Sequence, residues 1–189
     1  YILFLDDDAI LVHKDTLKKS IQILDNDSKI GQLGGVQQNS KGEINTYGAI
    51  SGWDGFLDRK KSSLSFEGQL KSKNLHIPTS FCMMKRKLLL EIGGFDPIYY
   101  FYDEDVDLSM RVKIKGYECV VEREIIYRHV SGSSIRTRNR RYFNKSYLIL
   151  KNSSIIKSVL YQMYLLLNLF NFRSLNTFED NFLKLKITF

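Results

Sequence analysis

The chain has 189 residues, 43% of them hydrophobic and 26% charged, an ordinary globular composition for one domain with a sizeable core. Cys82 and Cys119 stand among apolar residues without redox-pair or metal-ligand spacing, so a disulfide framework and a cysteine-held metal are excluded and buried reduced thiols are expected. The net charge of +7 is uneven: between Ile125 and Phe178 there is no Asp or Glu, while Arg128, Arg136, Arg138, Arg140, Arg141, Lys145, Lys151, Lys157 and Arg173 all fall there, a block suited to phosphates or an anionic membrane surface.

The chain does not begin with Met but inside an apolar run, Tyr1 to Leu5, which reads as a buried strand in a segment whose earlier part is missing. No basic leader with a small-residue cleavage site is present, and a cytoplasmic protein is expected. Asp6-Asp7-Asp8 follows at once. Acids at the carboxyl end of a strand occupy the ligand position of open α/β sheets, and a hard divalent cation explains three of them better than stability does. A solvated turn leading into a helix is the alternative.

The spacing of Leu17, Ile21 and Leu24 predicts a helix over Lys14 to Leu24, and Ile30 to Val36 should return to the sheet. Short strands are expected at Ile44 to Tyr47 and Ala49 to Ser51. Trp53, in Gly52-Trp53-Asp54-Gly55, could stack on a sugar or belong to the core. Asp58 to Lys73, rich in Lys and Ser, reads as a mobile loop. Ile77 to Met84 is a predicted strand and Lys85 to Ile92 a short helix, ended by Gly93-Gly94.

Tyr102-Asp103-Glu104-Asp105-Val106-Asp107-Leu108 then carries four carboxylates within five residues, between a turn and the helix-forming stretch Ser109 to Lys115. A helix start favours ionised acids, and capping alone would account for Asp103. Four neighbouring carboxylates repel one another unless a cation or a proton-bearing substrate offsets the charge.

Beyond Gly116, strands are predicted at Tyr117 to Val121 and Ile125 to His129. A basic helix with interleaved aromatics should run from Arg136 to Lys151. Ile155 to Phe172 is strongly apolar but punctuated by Lys157, Gln162, Asn168 and Asn171, too interrupted to span a bilayer. It suits an interfacial helix, or one packing on the missing half of the protein or on a second subunit. Two regions follow: 1–135, an α/β domain, and 136–189, a basic and apolar helical tail.

The ordered set of a strand ending in Asp6-Asp7-Asp8, Gly93-Gly94-Phe95-Asp96, Glu104-Asp105-Val106-Asp107-Leu108 with Arg111, Gly116-Tyr117, and His129 before Gly132 resembles the family-2 glycosyltransferases of GT-A fold, especially the rhamnosyltransferase-like branch. The resemblance covers Tyr1 to about Lys151. It implies a mixed sheet flanked by helices, lacking the nucleotide-binding half that precedes the DXD acids in such enzymes, with a C-terminal helical tail. It further implies that Asp6, Asp8 and His129 hold Mn²⁺ or Mg²⁺, that Asp7 lies near the donor's ribose or phosphate, that Asp105 is the catalytic base, and that Glu104 orients acceptor or base.

The implied reaction is inverting transfer of a sugar from a nucleotide-diphosphate donor to a glycan or lipid-linked acceptor, in cell-surface polysaccharide synthesis at the inner face of the membrane. The chain departs from the family at Ser80-Phe81, where a bulky Phe would reshape the sugar pocket. It departs again at Lys145-Ser146, in place of Arg-Asn. The alternative is a non-catalytic fragment or module whose basic tail binds anionic membrane; no nucleic-acid reading module is expected.

Overall fold

The computed structural model describes residues 1–46, 49–50, 68–71, 75–100, 102–130, 138–152 and 154–169. Trp53 lies outside them, as does most of the stretch expected to be a mobile loop. In chain order the elements are β1 (Ile2–Leu5), β2 (Ala9–Leu11), α1 (Thr16–Asn26), β3 (Ile30–Gln38), β4 (Ile44–Thr46), β5 (Ala49–Ile50), β6 (Gln69–Lys71), β7 (Leu75–His76), β8 (Phe81–Met84), α2 (Arg86–Glu91), α3 (Glu104–Ile114), β9 (Glu118–His129), α4 (Arg138–Asn152) and α5 (Ile155–Leu169). Contacts divide the chain into Tyr1–Lys145 and Ser146–Phe189.

The first unit is a mixed α/β fold, its sheet ordered β1-β8-β3-β9-β2, with β4 added to β3 and β6 to β9. The parallel pair β3–β9 lies at its centre, where both strands are largely buried. Leu33, Met83 and Val120 pack on one cluster with Leu24 of α1. Another joins Cys82, Met84 and Val121 to Leu88, Leu108 and Val112 of the helices. Gly31 lets α3 come this close, since a Cβ there would stand 2.5 Å from Val112 Cγ1.

Four expectations need correction. The segment Tyr1 to Leu5 is only partly buried, because β1 ends the sheet and pairs with β8 alone among the described residues. Ile77 to Ser80 leaves the sheet: Pro78 has no N–H to give, and the Ile77 N–H donates to Ser109 Oγ at 3.1 Å. The two strands predicted after Gly116 are one long β9 whose register against β3 jumps between Gly35 and Val36. Gly35 admits that irregularity, for a Cβ would stand 2.6 Å from the Ile125 carbonyl oxygen. Within the expected mobile loop, Gln69–Lys71 is a strand on β9.

Cys82 and Cys119 are buried free thiols. Gln32, also fully buried, satisfies its amide between them, donating to Cys82 Sγ at 3.6 Å and accepting from Cys119 at 3.2 Å. Burial pushes the Cys119 thiol up to about 11 and Cys82 higher still, which makes both poor nucleophiles.

In the second unit, the Ser158 hydroxyl donates to the Ile149 carbonyl at 3.2 Å and so ties α5 to α4. Ile155, Ile156, Val159, Leu160 and Met163 of α5 are exposed. Among the described residues no helix is long and apolar enough to cross a membrane.

Candidate active site

Strand register builds the first half of the site. β2 pairs antiparallel with the end of β9, Ala9 opposite His129, and the Val130 N–H donates to the Asp8 carbonyl at 3.1 Å. The acids occupy the tight turn between β1 and β2, closed by the Ala9 N–H on the Asp6 carbonyl. His129 is thereby delivered onto the acid turn from 121 residues away. Its Nε2 lies 2.8 Å from Asp8 Oδ1 and 3.4 Å from Asp6 Oδ2.

One ligand atom each from Asp6, Asp8 and His129 falls within a 4.8 Å cluster. Two carboxylate oxygens and one imidazole nitrogen form a donor set suited to Mn²⁺ and acceptable to Mg²⁺. Burial raises the Asp6 carboxyl above its usual range and the Asp8 and Asp7 charges push the same way, with His129 opposing. A bound cation would relieve that repulsion, so the residues fit a divalent ion. Asp7 itself is exposed beside the cluster.

The sequence did not single out Gln37, which governs His129. β3 runs past Val36, and the Gln37 Nε2 lies 3.1 Å from His129 Nδ1. With the amide donating there, the neutral imidazole carries its proton on Nε2 and shares it with Asp8. Ligation of a metal through Nε2 requires the proton on Nδ1 instead, with the Gln37 carbonyl oxygen turned to accept it.

The second half of the site is the start of α3, where the four acids have separate fates. Asp107 is fully buried and accepts from Arg111 Nε at 2.8 Å, while Arg111 Nη1 donates to the Ile92 carbonyl at 2.6 Å. This pair ties α3 to the end of α2, and losing one partner of such a buried pair costs roughly 3–5 kcal/mol. Asp103 caps nothing with its side chain, contrary to expectation. It pairs with Lys145 at 3.0 Å.

That leaves Glu104 and Asp105. Burial foremost, then Asp103 and Asp6, raises the Glu104 carboxyl, and its buried Oε2 has no hydrogen-bond partner among the described residues. Asp105 Oδ1 accepts from the Val106 N–H at 2.8 Å. Burial, reinforced by Glu104, pushes the Asp105 carboxyl up from 3.8 to about 7. Asp6 also acts to raise the Glu104 carboxyl, and Asp6 and Asp105 both act with burial to raise the Tyr127 hydroxyl.

The backbone entering α3 is strained, with left-handed φ values at Tyr102 (72°) and Asp103 (65°). Such residues cost of order 1–3 kcal/mol each and persist only when their surroundings impose them.

Ser80 and Phe81, expected beside the sugar, pack around Tyr127. Phe81 is completely buried and stacked on Tyr127 with centroids 5.5 Å apart, and the buried Ser80 hydroxyl bonds the Tyr127 hydroxyl at 2.9 Å. Both brace the strand that ends in His129, and Phe81 offers no surface to a ligand.

The sequence model described as "Glycosyltransferase like family 2" matches residues 1–147. The chain belongs to glycosyltransferase family 2. A search of the curated proteins finds no match. Among solved structures, this family-2 chain is similar to a mannosyltransferase from Pyrobaculum calidifontis in complex with GDP-Man and Mn²⁺, at 15% identity and a TM-score of 0.45. The alignment covers 79% of this chain and 37% of that one.

Proposed function

We propose that this chain forms the metal-binding and acceptor-activating part of an inverting glycosyltransferase that moves a sugar from a nucleotide-diphosphate donor to a hydroxyl of a glycan or lipid-linked acceptor. The observation that carries the reading is the convergence of Asp6, Asp8 and His129 beside the partly buried pair Glu104 and Asp105. Asp6, Asp8 and His129 would hold Mn²⁺ or Mg²⁺, which as a Lewis acid stabilises the charge of a departing diphosphate. Asp7, exposed beside them, would meet the donor's ribose or phosphate.

Asp105 takes the proton of the acceptor hydroxyl as it attacks the anomeric carbon. A carboxyl brought near 7 is well matched to that task at neutral pH, being ionised in a large fraction of molecules yet basic enough to accept a proton. Glu104, with one oxygen unpaired, orients the acceptor or the base. One displacement inverts the centre, whereas a retaining glycosidase uses a second carboxylate as nucleophile.

The test is turnover by the full-length protein of a panel of nucleotide-diphosphate sugars with Mn²⁺, with NMR of the product's anomeric proton. Metal-dependent transfer with inversion is expected. Retention would remove the single displacement, and Mn²⁺ binding without any turnover would favour the non-catalytic module.

We also place the enzyme at the cytoplasmic face of the membrane, in cell-surface polysaccharide synthesis. The acid-free basic stretch and the exposed apolar residues of α5 supply the two attractions of a peripheral membrane protein. Flotation should show binding to phosphatidylglycerol vesicles, little to phosphatidylcholine, and loss between about 0.05 and 0.5 M salt. Binding indifferent to lipid charge would count against this placement.

A further inference from the structure

Two non-glycine residues in succession with left-handed φ, one of them a tyrosine, need something to hold them. The holders are adjacent residues 42 positions further along the chain. Asn144, completely buried, donates its amide to the Tyr102 carbonyl at 2.6 Å. Lys145 donates to Asp103 Oδ1 at 3.0 Å, in a pair whose side chains are only 12% and 14% exposed. Neighbouring residues thus grip neighbouring residues, fixing both the path of the turn and the direction in which α3 starts.

We propose that Asn144 and Lys145 clamp the Tyr102-Asp103 turn and thereby position Glu104 and Asp105, which makes Lys145 a positioning residue for the transfer reaction. The second half of this inference rests on the glycosyltransferase reading; the clamp itself does not. Without the ammonium, the Asp103 carboxylate would lie unpaired beside Glu104 and Asp105, and repulsion among the three would favour opening the turn. The charged groups acting on Asp105 are Glu104 and Asp103, which raise its carboxyl, and Lys145, which lowers it. Arginine can keep the charge and reach Asp103, so Lys145→Arg should preserve the clamp.

The experiment uses the full-length protein with Lys145→Met, Lys145→Arg, Asn144→Ala and the double variant Asp103→Asn/Lys145→Met. Hydrogen exchange at the amides of residues 102–107 should quicken in Lys145→Met and Asn144→Ala while exchange in β3 stays unchanged, and Lys145→Arg should stay near wild type. In the transfer assay, Lys145→Met should lose kcat by about 100-fold with KM for the donor little altered, as expected for misplaced catalytic groups. The midpoint of its rising pH limb should move upward. Neutralising Asp103 as well should recover part of that loss, because the repulsion it exerts on Glu104 and Asp105 is then gone.

Unchanged exchange in both single variants overturns the clamp, whatever the activity. Faster exchange with unchanged kcat overturns the positioning role. A wild-type protein without transfer, combined with faster exchange in the variants, overturns the transferase reading and the positioning role while the clamp stands.

Discussion

Replacing Asp105 by Asn should lower kcat for sugar transfer by about a thousandfold, within the range that a positioned general base contributes, and leave Mn²⁺ affinity unchanged. The amide keeps the shape of the side chain but cannot accept the acceptor's proton. In the wild type, kcat/KM should rise with pH through a midpoint of about 7, the position to which burial and Glu104 bring this carboxyl.

The same variant should be more stable than the wild type. The folded carboxyl lies above its unfolded value of 3.8, so its contribution to stability is full below about pH 4 and is lost as pH rises towards 7. The gain in Tm of Asp105→Asn should therefore widen from pH 4 to 7 and stay level above. Thermal unfolding of both proteins across this range checks it, and a pH-independent difference would remove the raised carboxyl. A group that costs stability in order to do chemistry is an expected trade-off at an active site.

The second large effect is loss of the metal. Outer partners of metal ligands are worth about 10- to 100-fold in metal affinity, so removing a ligand should cost more. His129→Ala and Asp8→Ala should each weaken Mn²⁺ binding by more than about 100-fold and abolish transfer, as a chelator should in the wild type. Gln37→Leu, which leaves all three ligands in place, should show a smaller loss. Titration of Mn²⁺ by electron paramagnetic resonance reads these affinities without an activity assay. Equal affinity in wild type and His129→Ala would exclude the imidazole as a ligand.

The acids and the histidine were legible because each stands at an abrupt change of character. Asp6-Asp7-Asp8 follows an apolar strand without transition, and His129 ends another. Their meeting depends on the pairing of β2 with β9, a contact across more than a hundred residues that periodicity does not encode. The division of labour among the four central acids was hidden for a similar reason. Asp107 is claimed by Arg111 one helical turn away, a partnership that i,i+4 spacing could have suggested. Asp103 is claimed by Lys145, which local sequence could not reveal.

Ser80 and Phe81 drew attention through the sugar pocket, and their contacts with Tyr127, two residues before His129, could not be read from local sequence. Gln37 escaped notice as a polar residue at the end of a strand, where such residues usually meet water. The β9 irregularity looked like two strands because Glu122-Arg123-Glu124 interrupts the apolar pattern, although the chain stays in the sheet.

Everything proposed for the chemistry requires one divalent ion bound jointly by the turn after β1 and the end of β9. Manganese anomalous scattering from crystals of the full-length protein, grown with Mn²⁺ and a nucleoside diphosphate, measures this directly. A peak about 2.0–2.3 Å from carboxylate oxygens of Asp6 and Asp8 and from His129 Nε2 is the expected result. A bound manganese coordinated elsewhere, with His129 still hydrogen-bonded to Asp8, would contradict it.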